Sequence, residues 1–135
     1  MMRKLLIVLA MMLISFTALS QNITLDAFEV TYYSGGVDKG TERVSDIEIN
    51  ISETSAYVKG STKTLVMALT TEWTEIHEST WEGFGVGMID NEGDEGLIII
   101  TTLDEAIIVS FHYESLNQSV FYKCKSRNQI NGINL

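Results

Sequence analysis

Apolar and polar residues alternate with period two along most of the chain. Phe28, Val30 and Tyr32 are separated by Glu29 and Thr31, and Ile47, Ile49 and Ile51 by Glu48 and Asn50. Leu65, Met67 and Leu69 share one side of a third run. Phe84, Val86 and Met88 alternate with Gly85 and Gly87. Ile107, Val109, Phe111 and Tyr113 alternate with Ile108, Ser110 and His112. Val120, Tyr122 and Cys124 face away from Phe121, Lys123 and Lys125. Successive strand residues point to opposite faces, so a period of two rich in β-branched and aromatic residues predicts half-buried strands.

Leu97-Ile98-Ile99-Ile100 is apolar on both faces, which predicts a strand covered on both sides or one whose outer face meets a terminal segment. Turn signals separate the runs. Ser34 to Gly40 reads as a loop, Lys59 to Thr62 as a hairpin turn, and Asp90 to Gly96 and Leu103 to Glu105 as two more. Thr70 to Trp81 admits a helix with Trp73, Ile76 and His77 on one side. Its threonines lower helix propensity, so strand plus loop is the expectation. Residues 128–135 read as a tail or a short last strand around Ile130 and Ile133. Together these predict an all-β fold, a small antiparallel sandwich or partly open barrel of about seven to eight strands.

The first twenty residues stand apart from this pattern. Arg3 and Lys4 precede an apolar run from Leu5 to Ile14, and Ala18-Leu19-Ser20 supplies small residues before Gln21. This predicts a signal peptide over 1–20 with cleavage between Ser20 and Gln21, and one exported domain over 21–135, periplasmic or secreted. Ser15, Thr17, Ser20, Gln21 and Asn22 dilute the apolar stretch, so no transmembrane anchor is expected in the mature chain. The leader resembles those of small exported bacterial proteins.

Composition narrows the function. The chain has 135 residues, 9 basic and 18 acidic, for a formal net charge of -9. Without the leader it would have 115 residues and a net charge of -11, because Arg3 and Lys4 leave with it. Nucleic-acid binding needs clustered Lys and Arg, so no nucleic-acid partner is expected. There is no phosphate loop, dinucleotide glycine fingerprint or GxSxG motif, and no cofactor is expected. The single cysteine, Cys124, has no intramolecular partner and shares the Val120–Tyr122 face, which predicts a buried free thiol. The chain has no proline, so charges must guard its sheet edges.

Three groups of residues are candidate sites. Asp90, Glu92 and Asp94 alternate in an acidic turn and could converge on a hard cation such as calcium. The EF-hand pattern fails there, with Glu95 where glycine is needed and Thr101 where glutamate is needed. An acidic hairpin turn is the plainer reading. His77, among Glu72, Glu75, Glu78 and Glu82, could meet His112 across a sheet to hold zinc for a small secreted hydrolase. Trp73, Trp81 and Phe84 could line a groove for a sugar or peptide, or else belong to the core.

No catalytic constellation emerges. The favoured reading is a non-catalytic exported domain that binds a protein, a glycan or a small molecule, or serves the envelope. Lipocalins are the nearest familiar shape for a secreted barrel. A lipocalin-like carrier of an apolar ligand, with Trp73, Phe84 and Ile99 facing inward, is therefore the alternative.

Overall fold

A computed structural model describes residues 23–103 and 105–126. The leader at 1–20, its cleavage junction and the tail at 128–135 lie outside the described residues. Nine strands follow in order: β1 (Ile23–Ser34), β2 (Val37–Ile51), β3 (Ser55–Lys59), β4 (Thr64–Leu69), β5 (Thr74–His77), β6 (Glu82–Asp90), β7 (Glu95–Leu103), β8 (Ala106–Tyr113) and β9 (Gln118–Ser126). Every pairing is antiparallel.

Eight strands close into a barrel. β1 pairs with β2, β2 with β3 and β3 with β4; β4 pairs with β6, β6 to β9 continue, and β9 returns to β1. The fold is thus all-β, and of the two architectures expected it is the barrel, fully closed. The closing seam is short: Met67 pairs with Asp90, Ala68 with Ile89 and Leu69 with Met88. The fifth strand is extra to the ring. It pairs with Glu82–Gly85 of β6, on the same edge that β4 uses at Met88–Asp90. Between the two, Gly87 donates its N–H to Thr71 Oγ1 at 2.8 Å, and Thr70 N–H donates to the Gly87 carbonyl at 2.9 Å. The Thr70–Trp81 stretch is strand plus loop, as its threonines favoured.

Two expectations need correction. Ser34 to Gly40 is not a loop. Only Gly35 and Gly36 turn, both at positive φ (62° and 77°), and Ser34 already pairs with Val37. Two left-handed residues in succession match the twist of the flanking strands, and glycine adopts that conformation at little cost. Phe28 does not share the inward face of Val30. The register shifts between Ala27 and Glu29, so Ala27 and Val30 are the buried residues. Phe28 sits in the bulge, half-buried, with Lys125 Nζ 5.6 Å from its ring centroid. A bulge sets two residues opposite one and turns the intervening side chain off the alternation.

The inward residues form one core. Leu25, Ile49, Ile51, Met67, Met88, Ile98, Ile100, Val109 and Cys124 are almost completely buried. They fill the barrel toward the end where β1 begins. Toward the other end β2 leaves the ring, because it pairs with β3 only over Glu48–Ile51. Its first part, Val37–Asp46, pairs with β1 alone and stands beyond the rim as a flange. That open edge carries Asp38, Lys39, Glu42, Arg43 and Asp46, all exposed. Charges therefore guard it in the absence of proline.

Candidate functional site

An eight-stranded barrel is just wide enough for side chains to fill it or for one small ligand. Here side chains fill one half and leave the other half open. The mouth, under the hairpins that join β1 to β2, β3 to β4, β6 to β7 and β8 to β9, opens into a cavity of about 430 Å³. Alternation explains the lining. Tyr32, Ile47, Val58 and Leu65 lie at the mouth end of the inward rows of β1 to β4, and Phe111, Tyr113, Val120 and Tyr122 do so on β8 and β9. Phe111 and Tyr122 meet edge to face, with ring centroids 5.7 Å apart at 81°.

Asp90 and Tyr113 add a polar point to this wall. The Tyr113 hydroxyl donates to Asp90 Oδ2 at 3.0 Å. Asp90 Oδ1 accepts from the backbone N–H groups of Glu92 and Asp94, each at 2.9 Å. A side-chain oxygen that caps the N–H groups following it closes a turn, as aspartate commonly does. Burial and the Asp90 contact raise the Tyr113 pKa above the ordinary phenol value. Burial pushes the Tyr122 pKa up to about 12. Both phenols are therefore neutral at physiological pH.

The structure brings Asp90, Glu92 and Asp94 together, with one oxygen from each within 4.8 Å of the others. The turn itself accounts for the grouping, since both Asp90 oxygens are engaged as donors' partners. Glu92 is paired in addition with Lys63 Nζ at 3.0 Å, between the neighbouring β3–β4 and β6–β7 hairpins. Both of those side chains are solvent-exposed, so the pair is a weak tether.

His77 and His112 are not brought together. His77 is exposed on β5 and lies between Glu75 (Nε2 to Oε2, 3.1 Å) and Glu82 (Nδ1 to Oε1, 3.5 Å). Its hydrogen bonds to Glu75 and Glu82 raise its pKa above the ordinary value. The two carboxylates occupy opposite ring nitrogens, which does not direct them at a common ion. His112 lies on the outer face of β8, opposite Leu97, whereas Gly83 beside the His77 partner Glu82 lies opposite Thr101. Five residues along a strand (Glu82 to Gly87, which pairs with Leu97) and three strand spacings across separate the histidines by about 17 Å and about 14 Å in those directions. Two imidazoles on one zinc have their nitrogens within about 4 Å.

His112 is held by two serines, Nδ1 to Ser119 Oγ at 3.0 Å and Nε2 to Ser110 Oγ at 2.8 Å. Burial lowers its pKa. A serine beside a histidine resembles a nucleophile with its base, yet Ser110 is 2% exposed and offers no access to a substrate.

Trp73, Trp81 and Phe84 are divided. Trp73 packs on Phe84, which is buried, at the core's edge. Trp81 is exposed and lines a separate groove of about 320 Å³ on the barrel's outside, with Leu103, Ile108 and Phe121. Ile99 pairs across to Gly85 and Ser110 and lies half-buried on the outer face, so it does not face inward as the carrier reading expected. Its inward neighbours are Ile98 and Ile100. Sequence reasoning missed the mouth residues Tyr32, Tyr113 and Tyr122 as a group. Their positions on the inward rows were the available signal.

Cys124 is buried and unpaired, as its strand face predicted. Burial raises its thiol to about 12. Among the described residues no helix is long and apolar enough to cross a membrane. The chain matches no protein-family model, no curated protein and no solved structure.

Proposed function

We propose that this chain is an exported, non-catalytic barrel that binds one small, largely apolar molecule in its mouth. The observation that carries this reading is the cavity of about 430 Å³, walled by inward apolar and aromatic side chains. Pockets for small ligands commonly span about 300–1,000 Å³ and pair apolar walls with a few fixed polar groups. The Asp90–Tyr113 pair is such a group. Export rests on the residue pattern of 1–20, with its basic start, apolar run and small residues before Gln21.

This is the lipocalin-like carrier reading with its site moved. The ligand space lies between Tyr32, Leu65, Phe111 and Tyr122, away from Trp73 and Phe84. Native mass spectrometry of the protein purified from its own host tests it. The expected spectrum shows a chain starting at Gln21 with a retained small molecule, and Val58→Trp, which fills the cavity, abolishes the retained mass. Ligand-free spectra for both proteins, with no bound mass appearing on adding octanol, would sink the proposal.

A further inference from the structure

We propose that the mouth cavity selects a small organic cation, an ammonium group carried on an apolar body. The inference rests on the cavity being the binding site and names the ligand class. Two independent features point to it. The first is aromatic. Tyr32, Phe111, Tyr113 and Tyr122, from three strands, all line the one cavity. An aromatic ring presents a negative face, and several rings around one space form a cage that favours an ammonium ion, quaternary ones included.

The second feature is formal charge. The ionisable side chains on the cavity, besides the phenols, are Asp90, Glu92, Asp94 and Lys63. The lysine is solvent-exposed and pairs with Glu92 at 3.0 Å. Three carboxylates against one ammonium leave that wall with two formal negative charges in excess, and Asp90 is buried. A carboxylate ligand entering there meets like charge in a partly dry space, where repulsion is weakly screened. An ammonium ligand meets the opposite charge beside these aromatic side chains. The apolar side chains Ile47, Val58, Leu65 and Val120 then cover its hydrocarbon portion.

Calorimetric titration with three eight-carbon probes tests this: octyltrimethylammonium, octanol and octanoate, each added to protein purified from its own host and stripped of ligand. The cation is expected to bind about tenfold tighter than octanol, with octanoate weaker still. Tyr32→Leu keeps apolar bulk but removes an exposed ring, and Asp94→Asn removes a charge without changing shape. Each is expected to weaken cation binding several-fold and leave octanol binding unchanged. Glu42→Gln, on the flange, removes the same charge elsewhere and should have no effect. Equal binding of all three probes, or equal weakening by Glu42→Gln, overturns the cation preference while the cavity remains a binding site. Binding of none of them overturns both.

Discussion

The Tyr113 hydroxyl donates a hydrogen bond to Asp90 Oδ2 at 3.0 Å, joining the end of β8 to the end of β6 across the intervening β7. The same carboxylate caps the turn that follows it, so one buried side chain serves three donors. Removing a hydrogen-bond partner from a buried charged group costs about 1.5–3 kcal/mol. Tyr113→Phe is therefore expected to destabilise the barrel by about 2 kcal/mol, and Asp90→Ala by about 3 kcal/mol or more. The double variant should lose less than the sum, because the two changes remove one shared bond. Urea titrations of the four proteins check this, and strictly additive losses would show that the bond contributes nothing.

Crowding, not conformation, makes Gly83 irreplaceable. A Cβ there would strike the backbone carbonyl of Ile100 on the neighbouring strand. At Gly85 it would meet the tip of the Ile76 side chain, at 2.7 Å from Cδ1. A side-chain tip can swing aside, whereas a paired backbone carbonyl cannot move without breaking the β6–β7 ladder. Gly83→Ala is expected to cost about 2–3 kcal/mol and Gly85→Ala about 1 kcal/mol or less. Thermal melts of the two variants give the order directly, and a reversed order would refute the argument.

Cys124 should be chemically silent in the folded protein. The thiolate is the reactive form, and burial pushes this thiol up to about 12, so almost none is ionised at pH 8. Its side chain is also inaccessible, with 0% of the residue exposed. A thiol-alkylating reagent at pH 8 is expected to leave the native protein unlabelled over an hour and to label it within minutes in guanidinium. Rapid native labelling, or a disulfide-linked dimer on a non-reducing gel, would contradict the burial.

The legible and illegible parts of this fold have different physical causes. The rows Ile107 to Tyr113 and Val120 to Cys124 were readable because alternation is local, although β8 also buries Ile108 and Ser110 of its outer row. The bulge at Ala27–Glu29 was not readable, since Phe28 is as apolar as the inward residues it interrupts. Glycines in Ser34–Gly40 suggested a loop, while only two of them form the turn and the rest of the run extends β2. Closure of the ring depends on Met67 meeting Asp90, a contact between strands that a loop and β5 separate. No local pattern encodes it. The acidic residues at 90, 92 and 94 stood out in the sequence, but the phenol that fixes Asp90 comes from 23 residues away. The cavity itself depends on how far opposite walls stand apart, which alternation within a strand does not report.

The two histidines should titrate on opposite sides of the ordinary imidazole value, about 6.5. His112 is half-buried, and burial disfavours its charged form, so its folded pKa lies below that of the unfolded chain. Between those two values the unfolded state binds the proton more readily, so stability rises with pH through the window and falls on acidification. His77 behaves in reverse. Glu75 and Glu82 favour its charged form, and the stability they add is present below the unfolded pKa and fades as pH rises through the raised folded value. That side chain is fully exposed, so solvent screens its share. Proton NMR titration of the imidazole Cε1 signals should show one midpoint below about 6.5 and one above it. Glu75→Gln should move only the upper one, downward. Ser119→Ala leaves the carboxylates in place and should leave that upper midpoint where it was. Two midpoints on the same side of the ordinary value, or a response of the lower one to Glu75→Gln, would overturn this assignment of the two environments.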